Sequence, residues 1–144
     1  YERFHYDVEK AVKQIFSTSL TISVDGGRDK SERGMGYLIS ALDANLNNLP
    51  KRSIFIPIED FDQYLLENFQ SVFPLYQPQW DKIEPHFNAT TSNLFDLTTC
   101  QKIITQLRQR TFTDEKVKIF VQKLIADLER KLLTCAYIEV YGNI

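Results

Sequence analysis

Long apolar runs are missing from this sequence. None approaches the roughly 18 residues that a membrane-crossing helix requires, so no membrane span is expected. Cysteine is scarce too: Cys100 and Cys135 are the only two, and neither stands in a C-x-x-C pair. Two thiols in a chain of this length do not make a disulfide framework, and with His86 they lack the short ligand spacings of a structural zinc site. They are expected as buried free thiols of an intracellular protein, nuclear or cytoplasmic. The sequon Asn88-Ala89-Thr90 points the other way, but such triplets also arise by chance. Glycine is equally sparse. At the loop Asp25-Gly26-Gly27-Arg28-Asp29-Lys30-Ser31, Asp29 and Val24 stand where a phosphate-binding loop needs its two glycines; as a dinucleotide fingerprint, Gly26-Gly27 lacks the spacing and Gly34-Met35-Gly36 comes after the turn. Neither His5 nor His86 lies near a serine or cysteine in a nucleophile elbow. No catalytic residue, cofactor or metal is expected from these patterns.

What is present suits a real core: 43% of the 144 residues are hydrophobic and 12% aromatic, enough for one domain spanning 1–144. The start, Tyr1-Glu2-Arg3-Phe4, is not a natural initiator, so the chain is expected to be a piece of a larger protein. Net charge is only −2, but it is unevenly spread. Residues 1–100 carry nine Lys or Arg against fourteen Asp or Glu, whereas residues 101–144 carry eight against five.

The clearest element is a long amphipathic helix from Thr113 or Asp114 to about Thr134, followed by a strand over 136–141. Val117, Phe120, Val121, Leu124, Ile125, Leu128 and Leu132 form its core stripe, with Asp114 placed to cap and Arg130 and Lys131 in the last turn. On the opposite side Ile119, Ala126 and Leu133 recur every seven residues. Lys116, Lys123 and Arg130 flank that seam on one side, Glu115, Gln122 and Glu129 on the other, the arrangement by which helices choose helical partners.

Elsewhere the spacing predicts helices over 4–17, 35–49, 60–73 and 97–110, and strands over 19–24 and 53–58, with Pro57 favouring an edge position. Asp60 and Gln63 resemble a capping box. Residues 74–93 read as a long loop with at most a turn of helix around 79–84. Together these predict a mixed α/β domain, a small sheet with one βαβ-like parallel crossover unit packed by about five helices. Its C-terminal helix-helix-strand, ending in a Gly142-Asn143 turn, follows the order of a winged helix.

Three functions fit this pattern. The first is a non-enzymatic protein-interaction or assembly domain, with Tyr64, Tyr76, Trp80, Ile119 and Leu133 as partner-binding residues. The argument for it is the window 53–81, which has no Lys or Arg but five acidic residues and more aromatic rings than one helix face can bury. Its partner is expected to be a protein offering a basic surface or a helix. The alternative is a nucleic-acid-binding module using Arg108, Lys116, Lys123 and Arg130 for phosphate contacts. The third is a metal-assisted phosphate-handling enzyme in which Asp25, Glu59 and Asp60 meet at the ends of parallel strands.

Overall fold

The computed structural model describes residues 20, 22–24, 35–49 and 53–143. The expected first helix over 4–17 and the loop 25–34, with Asp25, lie outside them. The described residues form a mixed α/β fold, as expected, built on a five-stranded sheet. Its strands are β1 (Ser23–Val24), β2 (Gly36–Leu42), β3 (Ile54–Pro57), β6 (Ser92–Asp96) and β7 (Tyr137–Asn143), in the order β1-β3-β2-β7-β6 across the sheet. A separate two-stranded ribbon pairs β4 (Leu75–Gln77) with β5 (Lys82–Glu84). The helices are α1 (Ile58–Tyr64), α2 (Leu66–Gln70), α3 (Leu97–Gln109) and α4 (Glu115–Leu132).

One face of the sheet carries Tyr37, Ile39, Ala41, Ile54, Ile56, Phe95, Ile138 and Val140, and the helices cover it. The register puts Ile39 opposite both Ile54 and Val140, so side chains from three strands meet in one layer. Phe61, Phe69, Ile104, Leu107, Phe120, Leu124 and Leu128 fill the space above them. The other face holds Leu38, Ser40, Phe55, Leu94, Glu139 and Tyr141, a more polar set in which Ser92 Oγ donates to Glu139 at 2.6 Å.

Helices α3 and α4 are where the periodicity places them, and both begin on an aspartate. Asp96 accepts from Thr99 N at 2.8 Å and Asp114 from Lys116 N at 2.9 Å, satisfying amide donors that the first turn leaves open. Strand β7 follows α4 directly, held at its start by Ala136 N donating to Leu42 O.

The structure corrects the crossover unit. Residues 36–42 are a strand, not part of a helix over 35–49, and every pairing in the sheet is antiparallel. Buried on both faces, Gly36–Leu42 presents a nearly continuous apolar run, and such a run satisfies helical spacing by accident. The turn after it is stabilised by Asp43, whose carboxylate accepts from Asn45 N and Asn47 N at 2.9 Å each. Pro57 is likewise corrected: β3 lies between β1 and β2, and Pro57 is its last residue, beyond the two positions that pair with β1. No side chain caps α1, which starts at Ile58; Asp60 sits buried in its first turn instead of before it.

Two further expectations change. Residues 75–84 form the ribbon instead of a helical turn. The helix-helix-strand order at the C-terminus stands, but Gly142 and Asn143 continue the ladder opposite Tyr37 and Gly36 instead of turning back as a wing. Strand β7 is therefore an inner strand, flanked by β2 and β6. Gly142 is required there because a Cβ would run into the backbone of Ala89, whose loop crosses β7 closely enough for Gly142 N to donate to Thr91 O at 3.0 Å.

Candidate interaction surfaces

The β4–β5 ribbon begins one residue after Pro74 and reverses through Pro78-Gln79-Trp80-Asp81, with Asp81 in the left-handed region at φ 52°. Alternation splits its residues. Gln77 faces inward and is buried, while Tyr76 and Ile83, directly opposite each other in the register, face out. Tyr76 is 50% exposed, Ile83 64% and Trp80, in the turn, 42%. Tyr76 Oη donates to Asp81 Oδ1 at 2.5 Å, which ties the exposed ring across the turn. That bond, more than anything else around it, raises the phenol's pKa from its ordinary value.

What holds the ribbon is a side-chain clamp on the free edge of β6. The Gln77 amide accepts from Leu94 N at 2.8 Å and donates to Leu94 O at 3.1 Å, as a neighbouring strand would. Gln79 donates to Ser92 O at 3.2 Å and to the Gln77 oxygen at 2.9 Å. The clamp satisfies edge groups that would otherwise invite another strand, and it orients Tyr76 and Ile83 rigidly outward.

A second surface runs along α4. Ile119 is 44% exposed and Leu133 81%, with exposed Ala126 between them. Beside this seam, a groove of about 310 Å³ opens between α3 and α4. Leu107, Val121 and Ile125 are among its apolar lining, as is Phe112, whose ring lies beneath the Arg110 guanidinium at 4.8 Å. Arg110 also donates to Tyr64 O and Asn68 Oδ1 at 2.6 Å each, joining the end of α3 to α1 and α2.

The structure therefore brings Tyr76 and Trp80 together on the ribbon and Ile119 and Leu133 together on α4. Tyr64 joins neither; half-buried, its ring meets Phe120 edge-on at 6.5 Å. Of the four basic candidates, Lys116 and Lys123 are exposed on α4 and have no ion-pair partner among the described residues. Arg108 is engaged by Glu129 at 2.6 Å and Arg130 by Asp127 at 3.2 Å. The carboxylate cluster loses its premise. Because β1 and β3 are antiparallel, with Val24 opposite Ile54, the end of β1 meets the start of β3, away from Glu59 and Asp60. Among the described residues no group of three His, Cys, Asp or Glu is placed to hold a metal. The Asn88 sequon lies on an exposed turn in which Asn88 Oδ1 accepts from Thr90 N and Thr90 Oγ1.

Ile83 and the two clamp glutamines escaped the sequence reading. A signal for Ile83 was there: Lys82-Ile83-Glu84 alternates about a central apolar residue, and a proline-led turn separates it from Leu75-Tyr76-Gln77. The clamp has no such signature, since it depends on where the edge of β6 falls.

Both cysteines are buried free thiols. Burial, and after it the neighbouring Cys135 and Asp96, pushes the Cys100 thiol up to about 12. An unfolded thiol ionises near 8.5. The unfolded chain thus loses this proton first as pH rises, so the contribution is whole below about pH 8.5 and declines through the interval up to about pH 12, by at most about 1.4 kcal/mol per pH unit. Native protein at pH 8 should leave Cys100 unmodified by iodoacetamide over hours, and both thiols should react in denaturant. Fast native labelling of Cys100 by mass spectrometry would contradict its burial.

No family model matches the chain, and no curated protein or solved structure matches it either. Among the described residues no helix is long and apolar enough to cross a membrane.

Proposed function

We propose that this chain is a protein-interaction or assembly domain, and that the β4–β5 ribbon is its anchor. The observation that carries this reading is the exposed pair Tyr76 and Ile83, opposite each other on a clamped ribbon, with Trp80 in the adjoining turn. Large apolar side chains held rigid at the surface lose little entropy on binding, which is why aromatic anchors dominate interface energetics. The partner offers a pocket for these rings and carries basic groups, complementary to the window 53–81, which has no Lys or Arg, and to a ribbon on which Asp81 and Glu84 flank the single cation Lys82. For the nucleic-acid alternative no specific observation speaks, since two of its four cations already have carboxylate partners.

Display of a random peptide library against the domain tests this. Selected peptides should combine Lys or Arg with an apolar residue and lose at least about tenfold in affinity, roughly 1.4 kcal/mol, with Trp80→Ala or Ile83→Asp. Selected binding indifferent to both changes would remove the ribbon as the anchor. Trp80 is the single tryptophan. In the unbound domain its emission should be that of a partly solvated indole, quenched by acrylamide, and should shift to the blue when a selected peptide binds. A blue-shifted, unquenchable emission before any peptide is added would contradict the exposed position.

A further inference from the structure

We infer that the outer face of α4 is a self-association surface, on which a second copy of this chain packs its own α4 in parallel about a two-fold axis. Ile119, Ala126 and Leu133 form the contact line, and the small side chain at its centre allows close approach of the two backbones. The occupant follows from the flanks. Lys116, Lys123 and Arg130 lie on one side of the line, and Glu115, Gln122 and Glu129 on the other. In a parallel two-fold pair each flank faces the opposite flank of the partner, so the basic row of one copy meets the acidic row of the other, twice. An antiparallel pair would set basic against basic. Lys116 and Lys123 have no ion-pair partner among the described residues, so a partner's Glu115 and Glu129 would be shared between them and Lys118 and Arg108, to which those glutamates are paired within the chain across exposed contacts of 3.6 and 2.6 Å. Gln122 and Glu129 of the acidic row also line the groove between α3 and α4, so the aliphatic stem of a partner lysine that reaches Glu129 would extend the contact beyond three apolar side chains. The ribbon takes no part in this surface.

Sedimentation equilibrium from about 1 µM to about 1 mM, the range of modest interfaces, reads the outcome directly. The wild-type mass should double with concentration. Leu133→Glu and, separately, Lys123→Glu should each weaken dimerisation at least about tenfold with unchanged circular dichroism, and Ile83→Asp should leave it intact. Should Leu133→Glu disturb folding, Lys123→Glu decides alone. Orientation is read by oxidative cross-linking: Ile119→Cys should cross-link to itself in the parallel pair, with wild type as the control for Cys100 and Cys135. A monomer at all concentrations overturns the proposal. So does a dimer in which Ile119→Cys cross-links only to Leu133→Cys, which marks an antiparallel pair, or one insensitive to Leu133→Glu and Lys123→Glu together.

Discussion

Replacing Phe61 with alanine is expected to cost about 3–5 kcal/mol, a large share of the roughly 5–15 kcal/mol that keeps a domain folded. Phe61 is fully buried and stacks on Tyr37 with ring centroids 4.1 Å apart; Phe69 and Phe87 lie at 5.2 and 5.7 Å. The chain of rings continues from Phe69 to Phe95, so one residue of α1 links strand β2, helix α2, the loop before β6 and β6 itself. Nothing nearby can fill the space, because each neighbouring ring is already packed against another. With an m-value of roughly 2 kcal/mol per molar, the urea midpoint should fall by about 2 M. Phe61→Leu, which keeps most of the volume, should fall less, and Leu133→Ala on the exposed end of α4 should stay within about 0.5 kcal/mol of wild type. A midpoint shift below about 0.5 M for Phe61→Ala would mean that the ring cluster does not hold α1 to the sheet.

How much of this was legible in the sequence depended on how many faces an element buries. Helix α4 shows one buried stripe and, apart from the narrow seam of Ile119, Ala126 and Leu133, a polar remainder, so its period, its Asp114 cap and its length could be read to within two residues. The period and length of α3 were equally legible; its Asp96 cap was not read. Strand β2 is covered on both faces, which erases the period-two alternation that marks a half-buried strand, and Leu38, Ile39 and Leu42 then match a helix equally well. That one misreading produced the parallel crossover, and with it the expected meeting of Asp25, Glu59 and Asp60.

The interaction surfaces were partly legible for a similar reason. Counting rings showed that residues 53–81 hold more aromatics than one helix can bury, and Tyr76 and Trp80 are indeed exposed while Phe61 and Phe69 are not. Tyr64 is half-buried instead of fully out, because helical spacing gives a direction but not a neighbour, and Phe120 of α4 meets its ring edge-on. Arg108 and Arg130 counted as available charge in the sequence, yet Arg108 meets Glu129 once α3 and α4 lie side by side, and Arg130 pairs with Asp127 three residues before it on the same helix. The first pairing is invisible until packing is known; the second is an i,i+3 spacing that the sequence already held.

Asp127 and Lys131 carry the second large effect. Both are charged, four residues apart on α4, and both are buried on its core side, Lys131 to 4% exposure. The Lys131 ammonium donates to Asp127 Oδ2, and Arg130 reaches Asp127 Oδ1 from the solvent side. The lysine near the end of the helix read from sequence as a partner for the macrodipole; the structure gives it a second role, as half of a buried ion pair. Removing one member should be far more damaging than removing both. Asp127→Leu leaves an ammonium away from water without its counter-charge, at an expected cost of about 3–5 kcal/mol. Lys131→Met leaves a carboxylate that Arg130 and solvent still reach, so it should cost less. Combining Asp127→Leu with Lys131→Met replaces the pair by apolar side chains of similar volume, and stability should recover to within about 1–2 kcal/mol of wild type. Urea denaturation of the four proteins closes the cycle. If Asp127→Leu alone costs under about 1 kcal/mol, water reaches Lys131 and the pair is a surface one. Because Asp127 also holds Arg130, which flanks the line of Ile119, Ala126 and Leu133, Lys131→Met is the variant that tests the packing face alone: it should keep whatever self-association the wild type has.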